Sequence, residues 1–471
     1  MKLVARYTQI ADDFAVADQP SAVIAPNLLL WNDTLARQLN IEVVTSERAV
    51  IFSGNLNNSD VAAVALGYSG HQFGHFSPRL GDGRAHLLGA VTDQQQQLWD
   101  IQLKGSGATP FSRGGDGRCA IGPAVREYIM SEAMHGLGIP TTRCLAVVAS
   151  GETVYRQPPQ QGAIVTRVAS SHIRVGSFQY LAAQGDVTGL KALADLAIER
   201  HYPEIKSTGS ARYLAFLSAV IEKQVSLIVS WMRVGFIHGV MNTDNTLVSG
   251  ETIDYGPCAM MNQFDFDTVF SSIDRQGRYA FGNQPNIANW NCARLAESLI
   301  PLISDDEEQA VELLSPLING FAEQFHQAFT QMWAKKLGFD GHQDGDAELV
   351  SELLTLLKTH QLDYTNTFDS LTESLQGQTA IPSDLAGWSI KWLARTNTQS
   401  YQLMRQANPR LIPRNHIVES IIQQYESTGE SSMLDEYLTA LRSPYQLLAS
   451  PAFWYSPPVD GDTNYQTFCG T

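Results

Sequence analysis

Apolar and polar positions alternate along Leu98-Trp99-Asp100-Ile101-Gln102-Leu103-Lys104 and again along Ala163-Ile164-Val165-Thr166-Arg167-Val168, the period-two pattern of strands. Between them the period changes. In residues 122 to 136, Val125, Tyr128, Ile129 and Ala133 fall on one helical face, Met130 and Met134 make a second side apolar, and Pro123 suits the first turn. Glu127 and Glu132 therefore lie on a helix expected to be buried. From about residue 177 onward helical spacing dominates. Residues 216 to 234 are apolar at that spacing and deliver the chain into His238, and residues 290 to 302 read as a helix carrying Cys292. Strands in the first half and helices in the second predict an α+β chain.

Two short β-prone runs, residues 246 to 249 and 252 to 255, flank Gly250-Glu251 at the spacing of a two-residue hairpin turn. That register sets Asn245 opposite Gly256 and makes Asp254 the diagonal neighbour of Asn245 on one face. An amide oxygen and a carboxylate then converge, ligands of the kind Mg²⁺ takes beside substrate phosphates, with Asp244 adding a second carboxylate nearby. The protein-kinase template places His-Arg-Asp, a metal-binding Asn and Asp-Phe-Gly in this order, and His238-Gly239-Val240, Asn245 and Asp254-Tyr255-Gly256 take those slots. Val240 stands where a kinase keeps its base, and a valine accepts no proton. Either Asp244 takes over that role or the site does not phosphorylate in the usual way. Plain turns built from these residues are the alternative reading.

A formal net charge of −16 argues against a general nucleic-acid or anionic-membrane binder, since both need positive surface. A bound polyanion would need a local cluster of cations, and Arg79, Arg84, Lys104, Arg113, Arg118, Arg126, Arg167 and Arg174 all sit in the first half. The tetrapeptide Gly-Asp-Gly-Arg occurs at residues 81 to 84 and again at 115 to 118, which suggests two backbone cradles near one ligand; unrelated surface turns are the rival. Lys104 ends a strand and precedes Gly105-Ser106-Gly107, unlike a Walker A loop and like the lysine strand of kinases, where a glutamate on the next helix pairs with the lysine. Sequence does not choose between Glu127 and Glu132. His71 and His75 could share a helical face and suggest zinc, but no glutamate follows His71 and no third ligand is in view. The five cysteines form no C-x-x-C pair and no zinc spacing, which favours a reducing compartment. Neither a signal peptide nor a membrane-length apolar segment is found, so a cytoplasmic protein is expected.

Taken in order, His71-Gln72-Phe73-Gly74, Leu80-Gly81-Asp82-Gly83-Arg84, Gln102-Leu103-Lys104-Gly105-Ser106-Gly107, Gly115-Asp116-Gly117-Arg118, residues 238 to 245, residues 252 to 257 and residues 408 to 416 resemble the selenoprotein O (YdiU-like) family of protein adenylyltransferases. These are kinase-like proteins that move AMP rather than phosphate. The resemblance implies a bilobal protein-kinase-like fold: an extension over 1–70, a nucleotide-binding N-lobe over 71–176, a mainly helical C-lobe with the metal site over 177–380, and a C-terminal extension with a cysteine-bearing tail over 381–471.

It also implies ATP contacts from Gly81, Gly83, Arg84, Lys104, Asp116, Gly117, Arg167, Arg174 and Asp254. Mg²⁺ or Mn²⁺ would sit on Asn245 and Asp254, Asp244 would be the proton acceptor, and Glu127 would partner Lys104. ATP is expected flipped relative to a kinase, presenting its α-phosphate to a Ser, Thr or Tyr hydroxyl of a protein, with neither nucleic acid nor membrane as partner. Some members carry selenocysteine near the C-terminus, where this chain has Cys469, and a redox pairing of Cys469 with Cys292 is an expectation on the same basis. The rival readings are an ordinary kinase using the same ligands and a non-catalytic, nucleotide-binding pseudokinase.

Overall fold

The strands Leu98–Lys104 and Gln160–Ala169 lie antiparallel and adjacent, with Lys104 opposite Val165 and Gln102 opposite Arg167. They form the centre of a sheet in a computed structural model that describes residues 1–56, 61–463 and 465–468. The eight-stranded sheet runs in the order Ala15–Ala17, Val64–Leu66, Ala85–Thr92, Leu98–Lys104, Gln160–Ala169, Arg143–Val154, Asn27–Trp31, with Cys119–Ala120 also pairing on Gln160–Ala169. Residues 1–70, read from the sequence as an extension, thus contribute three strands, because their short apolar runs close both edges of the sheet.

Alternation decides what each face carries. Ile101 and Leu103 turn to a smaller core beneath the helices Asp33–Gln38 and Thr45–Phe52. Asp100, Gln102 and Lys104 turn the other way and are buried there. That second face is covered by the helix Ile121–Gly136, which packs on Arg143–Val154 and Gln160–Ala169 and is itself covered by the helices Asn415–Thr428 and Ser432–Leu441. Being enclosed on several sides, it needs apolar residues on more than one stripe, which is what Met130 and Met134 supply.

The remainder is mostly helical. The helix Ser210–Val234 ends on Gly235 in the left-handed conformation, φ +77°, and turns the chain into Phe236–Ile237, a short strand paired with Ala259–Met260. Contrary to the sequence reading, this helix is long and apolar enough to cross a membrane, with a mean hydropathy of 1.4; 56% of that window is buried inside the fold, against helices such as Gln284–Ile303 and Phe321–Lys336. The block 408 to 416, which has no mechanism from sequence, ties this region together. Asn415 Nδ2 donates to Met260 O at 2.9 Å while its Oδ1 accepts from Met260 N at 3.0 Å, and the buried Arg414 donates to Asp363 Oδ2 at 2.8 Å.

Two local expectations are overturned. Residues 246 to 255 form no hairpin: Leu247 bridges to Arg174, Thr252 bridges to Thr141, and the turn is closed by Gly250 N donating to Leu247 O at 3.1 Å. β-prone residues pair with whichever edge is offered, and here Val248 N donates to Ile173 O and Trp231 Nε1 to Thr252 Oγ1. His71 and His75 share no helix. They lie on the hairpin Gly70–Gln72/His75–Ser77, whose turn residues Phe73 and Gly74 both have positive φ, +53° and +86°. No group of three or more His, Cys, Asp or Glu able to hold a metal exists among the described residues.

On the same strand as Lys104, Asp100 is wholly buried and accepts from Arg200 Nη2 at 2.7 Å and from Tyr7 OH at 2.6 Å, with His172 Nδ1 at 3.2 Å. Burial alone would raise its carboxyl, but Arg200, His172 and Tyr7 outweigh that and hold it at about 2. Asp100→Ala is expected to lose about 3–5 kcal/mol by denaturant unfolding at neutral pH, since it leaves Arg200 buried and unpaired. Because the folded carboxyl lies below its ordinary 3.8, the gap to wild type should close as pH falls from there toward 2.

Candidate active site

Lys104 and Arg167 project from neighbouring strands onto Glu127 of the covering helix. Lys104 Nζ donates to Glu127 Oε2 at 2.6 Å, and Arg167 donates from Nη2 to Glu127 Oε1 at 2.6 Å. Both cations also reach one oxygen of Asp254, Lys104 Nζ at 2.9 Å and Arg167 Nη2 at 2.5 Å. The result is a quartet of alternating charge. Burial would raise both carboxyls, but Lys104 and Arg167 outweigh it and hold Glu127 low and Asp254 well below the usual range. The choice between glutamates is settled, because Glu132 is taken by Arg143 at 2.5 and 3.0 Å.

Asp254 reaches the quartet from a strained backbone, φ +64° at a non-glycine residue. His238 holds it there. Its Nε2 donates to Ile253 O at 2.8 Å, its ring stacks on Trp231, and its own backbone N–H donates to Gln284 Oε1. The histidine of the kinase-like triplet is thus a clamp on the residue preceding Asp254.

Asp244 and Asn245 share one tight turn, Thr243–Asn245. Asn245 Nδ2 donates to Val240 O at 3.1 Å, so the residue at the vacant base position anchors the amide through its backbone. The hairpin 70–77 is stitched along this turn: His71 N donates to Thr243 Oγ1 at 2.7 Å, Phe73 N to Asn242 Oδ1 at 3.2 Å, and Gln72 Nε2 to Asp244 Oδ2 at 3.3 Å. Asp244 is 8% exposed, its Oδ1 is buried without a partner, and burial pushes its carboxyl up to about 6.

Two cavities meet at the quartet. One, ≈ 400 Å³, is lined by Gln72, Asn242, Asp244, Asn245, Asp254 and Lys104 among others. The second, ≈ 300 Å³, is lined by Gly81, Gly83, Arg84, Asp116, Gly117, Arg167 and Arg174, and shares Arg84, Lys104, Arg113 and Asp254 with the first. All of the nucleotide contacts expected from sequence therefore line the second cavity, and the expected metal ligands line the first, with Asp254 in the wall of both.

Both Gly-Asp-Gly-Arg copies line the same cavity. Their glycines are steric necessities: a Cβ on Gly117, φ +67°, would lie 2.0 Å from Gly107 C, and one on Gly81, φ +68°, 2.2 Å from the Phe111 ring. Arg174 stacks on Tyr68, 4.1 Å to the ring centroid, and donates to Asp82 at 3.4 Å. Asp116 is exposed and paired to Arg156 at 2.8 Å.

For a divalent ion, an orphaned oxygen on Asp244, an Asn245 amide whose nitrogen is already engaged and the Asp254 carboxylate amount to an oxygen-donor set, which suits a hard cation. The hairpin geometry expected to juxtapose Asn245 and Asp254 is absent; the two residues instead line one cavity from separate segments.

The family model for the protein adenylyltransferase SelO matches residues 1–442. The chain belongs to the SelO family. Members similar to it include a protein nucleotidyltransferase YdiU of Pseudoalteromonas translucida, 71% identical over 471 residues and the full length of both chains. One of the same description from Teredinibacter turnerae is 49% identical over 485 residues, again over both full lengths, and one from Bacillus mycoides is 47% identical over 480 residues, covering 100% of this chain and 98% of its own.

Within this SelO-family site, sequence reasoning left Tyr68, Asp82, Arg156, Gln72 and Asn242 without roles. Asp82 lies inside the first Gly-Asp-Gly-Arg copy, which is the one signal that could have marked it. Cys292 is buried and burial pushes its thiol up to about 12, while Cys469 lies outside the described residues, so their pairing stays an expectation.

A Cβ on Gly70 would lie 2.4 Å from Asp244 Oδ1 and 2.5 Å from Leu80 Cδ1. Gly70→Ala should therefore cut AMP transfer by about tenfold or more while circular dichroism stays native, because about 1 Å of displacement within an active site costs that much.

Proposed function

We propose that this chain transfers AMP from ATP to Ser, Thr or Tyr hydroxyls of proteins and releases pyrophosphate. One observation carries the reading: a cation-rich cavity and an acid-bearing cavity join at Lys104 and Asp254. Arg84, Arg167 and Arg174 with the two glycine loops suit the β- and γ-phosphates, which places the α-phosphate at the junction, toward Asp244. A kinase needs the reverse, with the γ-phosphate nearest the proton acceptor.

In this reading the protein hydroxyl oxygen attacks the α-phosphorus, Asp244 takes its proton, and the bond to the bridging oxygen of the β-phosphate breaks. Burial makes Asp244 a stronger base than an ordinary aspartate, and Gln72 fixes its orientation. Lys104 and Arg167, already clamped by Glu127, meet the negative charge that grows on the departing pyrophosphate. A Mg²⁺ or Mn²⁺ ion on Asn245 and Asp254 would offset phosphate charge. The Lys104–Glu127 pair joining a sheet to its covering helix supports a protein-kinase-like bilobal arrangement. Four free, buried cysteines fit a reducing, cytoplasmic setting.

ATP labelled at the α- or γ-phosphorus separates this from its rivals. Wild type with Mg²⁺ and a mixed protein acceptor should incorporate α-label and no γ-label; a kinase gives the converse, and a pseudokinase, which the family membership does not support, gives neither. Asp244→Ala should lower incorporation by about 10²–10⁴-fold, the usual worth of a general base. Full α-label transfer by that variant would remove Asp244 from the chemistry.

A further inference from the structure

The hairpin 70–77 has a second face. Gln72 turns toward Asp244, and by strand alternation His71 turns the other way, where its ring meets Trp290 edge-on at 5.1 Å and Phe76 at 4.8 Å. Trp290 carries two guanidinium groups on its ring, Arg278 and Arg294, each with its carbon 4.9 Å from a ring centroid. The hairpin tip lies over this cluster, since a Cβ on Gly74 would be 3.7–3.8 Å from the Arg278 guanidinium.

The cluster is satisfied by the protein only in part, since Arg278 also hydrogen-bonds to Tyr279. Arg294 pairs with Glu297 at 2.5 Å, but Arg278 has no ion-pair partner among the described residues, and the Nε atoms of both arginines are buried without an acceptor. Buried donors without acceptors are costly and rare. Phe76 is 45% exposed beside them and both guanidinium side chains are only half-buried, so the patch combines accessible aromatic surface with cationic groups, the composition of an interface anchor. On a chain of net charge −16 it is a local exception to the prevailing field.

Its position gives it a task. Phe73, at the hairpin tip, lines the Asp244 cavity, and Tyr279, next to Arg278, receives Phe73 N at 3.2 Å and donates to Asn242 Oδ1 at 2.6 Å. The hairpin tip thus lies between the Asp244 cavity, which Phe73 lines, and the Arg278 guanidinium beside Gly74. We propose that this patch docks protein substrates through an acidic side chain within a few residues of the target hydroxyl. The proposal rests on the AMP-transfer reading and narrows its substrate class.

The test uses the full-length protein and paired synthetic peptides, each with one Ser or Tyr and differing only by Asp or Asn at one of the four positions on either side. Labelled ATP is supplied in parallel at the α- and γ-phosphorus, so that a failure of AMP transfer, seen as γ-label, is distinct from a failure of docking, read as the peptide ratio with whichever label enters. At one or more positions the Asp peptide should have about tenfold higher kcat/KM than its Asn twin, carried by KM, as expected for a charge-assisted hydrogen bond. The ratio should fall to near one in Arg278→Gln, recover in part in Arg278→Lys, and drop below one in Arg278→Glu. A ratio near one in wild type at every position, or a wild-type ratio retained in the Arg278→Gln/Arg294→Gln double variant, overturns the proposal.

Discussion

Two buried cations and two acids, Lys104, Arg167, Glu127 and Asp254, hold one another in place, and the site is organised around that contact. None of the four is tolerable alone, since removing one member of a buried ion pair leaves an uncompensated charge and costs about 3–5 kcal/mol. Together they join three separate parts of the chain: the central strands, the helix Ile121–Gly136, and the segment following His238. In the proposed reaction, phosphate oxygens entering the cavity would meet cations whose positions are already set, leaving little reorganisation.

The quartet is kept in register by parts that do no chemistry. His238 fixes Ile253, Asn415 fixes Met260 just beyond, and the hairpin 70–77 fixes Asn242, Thr243 and Asp244. This explains why residues 408 to 416 and the short His-Gln-Phe-Gly stretch accompany the acidic motifs although neither lines the cation-rich cavity. One grips the strand behind the site and the other the turn that bears Asp244. The same hairpin presents His71 outward to Trp290, so the element that positions Asp244 also borders the proposed docking patch.

Much of this is legible in the amino-acid order where period and chemistry agree. Alternation at 98 to 104 places Lys104 correctly, and the helix through Glu127 follows from its apolar faces. What the order hides is pairing between distant segments. Residues 246 to 255 carry a good hairpin pattern, yet Leu247 and Thr252 find Arg174 and Thr141, because strand-prone residues do not specify their partner. Glu127 and Glu132 differ by little in sequence; only Arg143, brought across by its strand, removes Glu132 from contention. His71 and His75 have helical spacing, but a glycine after Phe73 makes a hairpin turn accessible and sends them to its two strands.

The proposed mechanism requires the amide at 245 and the acid at 254 to clasp a single cation against the nucleotide held by Lys104. It is tested most directly by titrating ATP calorimetrically into wild type and Asp254→Asn, each with and without Mg²⁺. The account predicts that Mg²⁺ tightens ATP binding markedly in wild type and hardly at all in the variant. An equal Mg²⁺ enhancement in both proteins would contradict it.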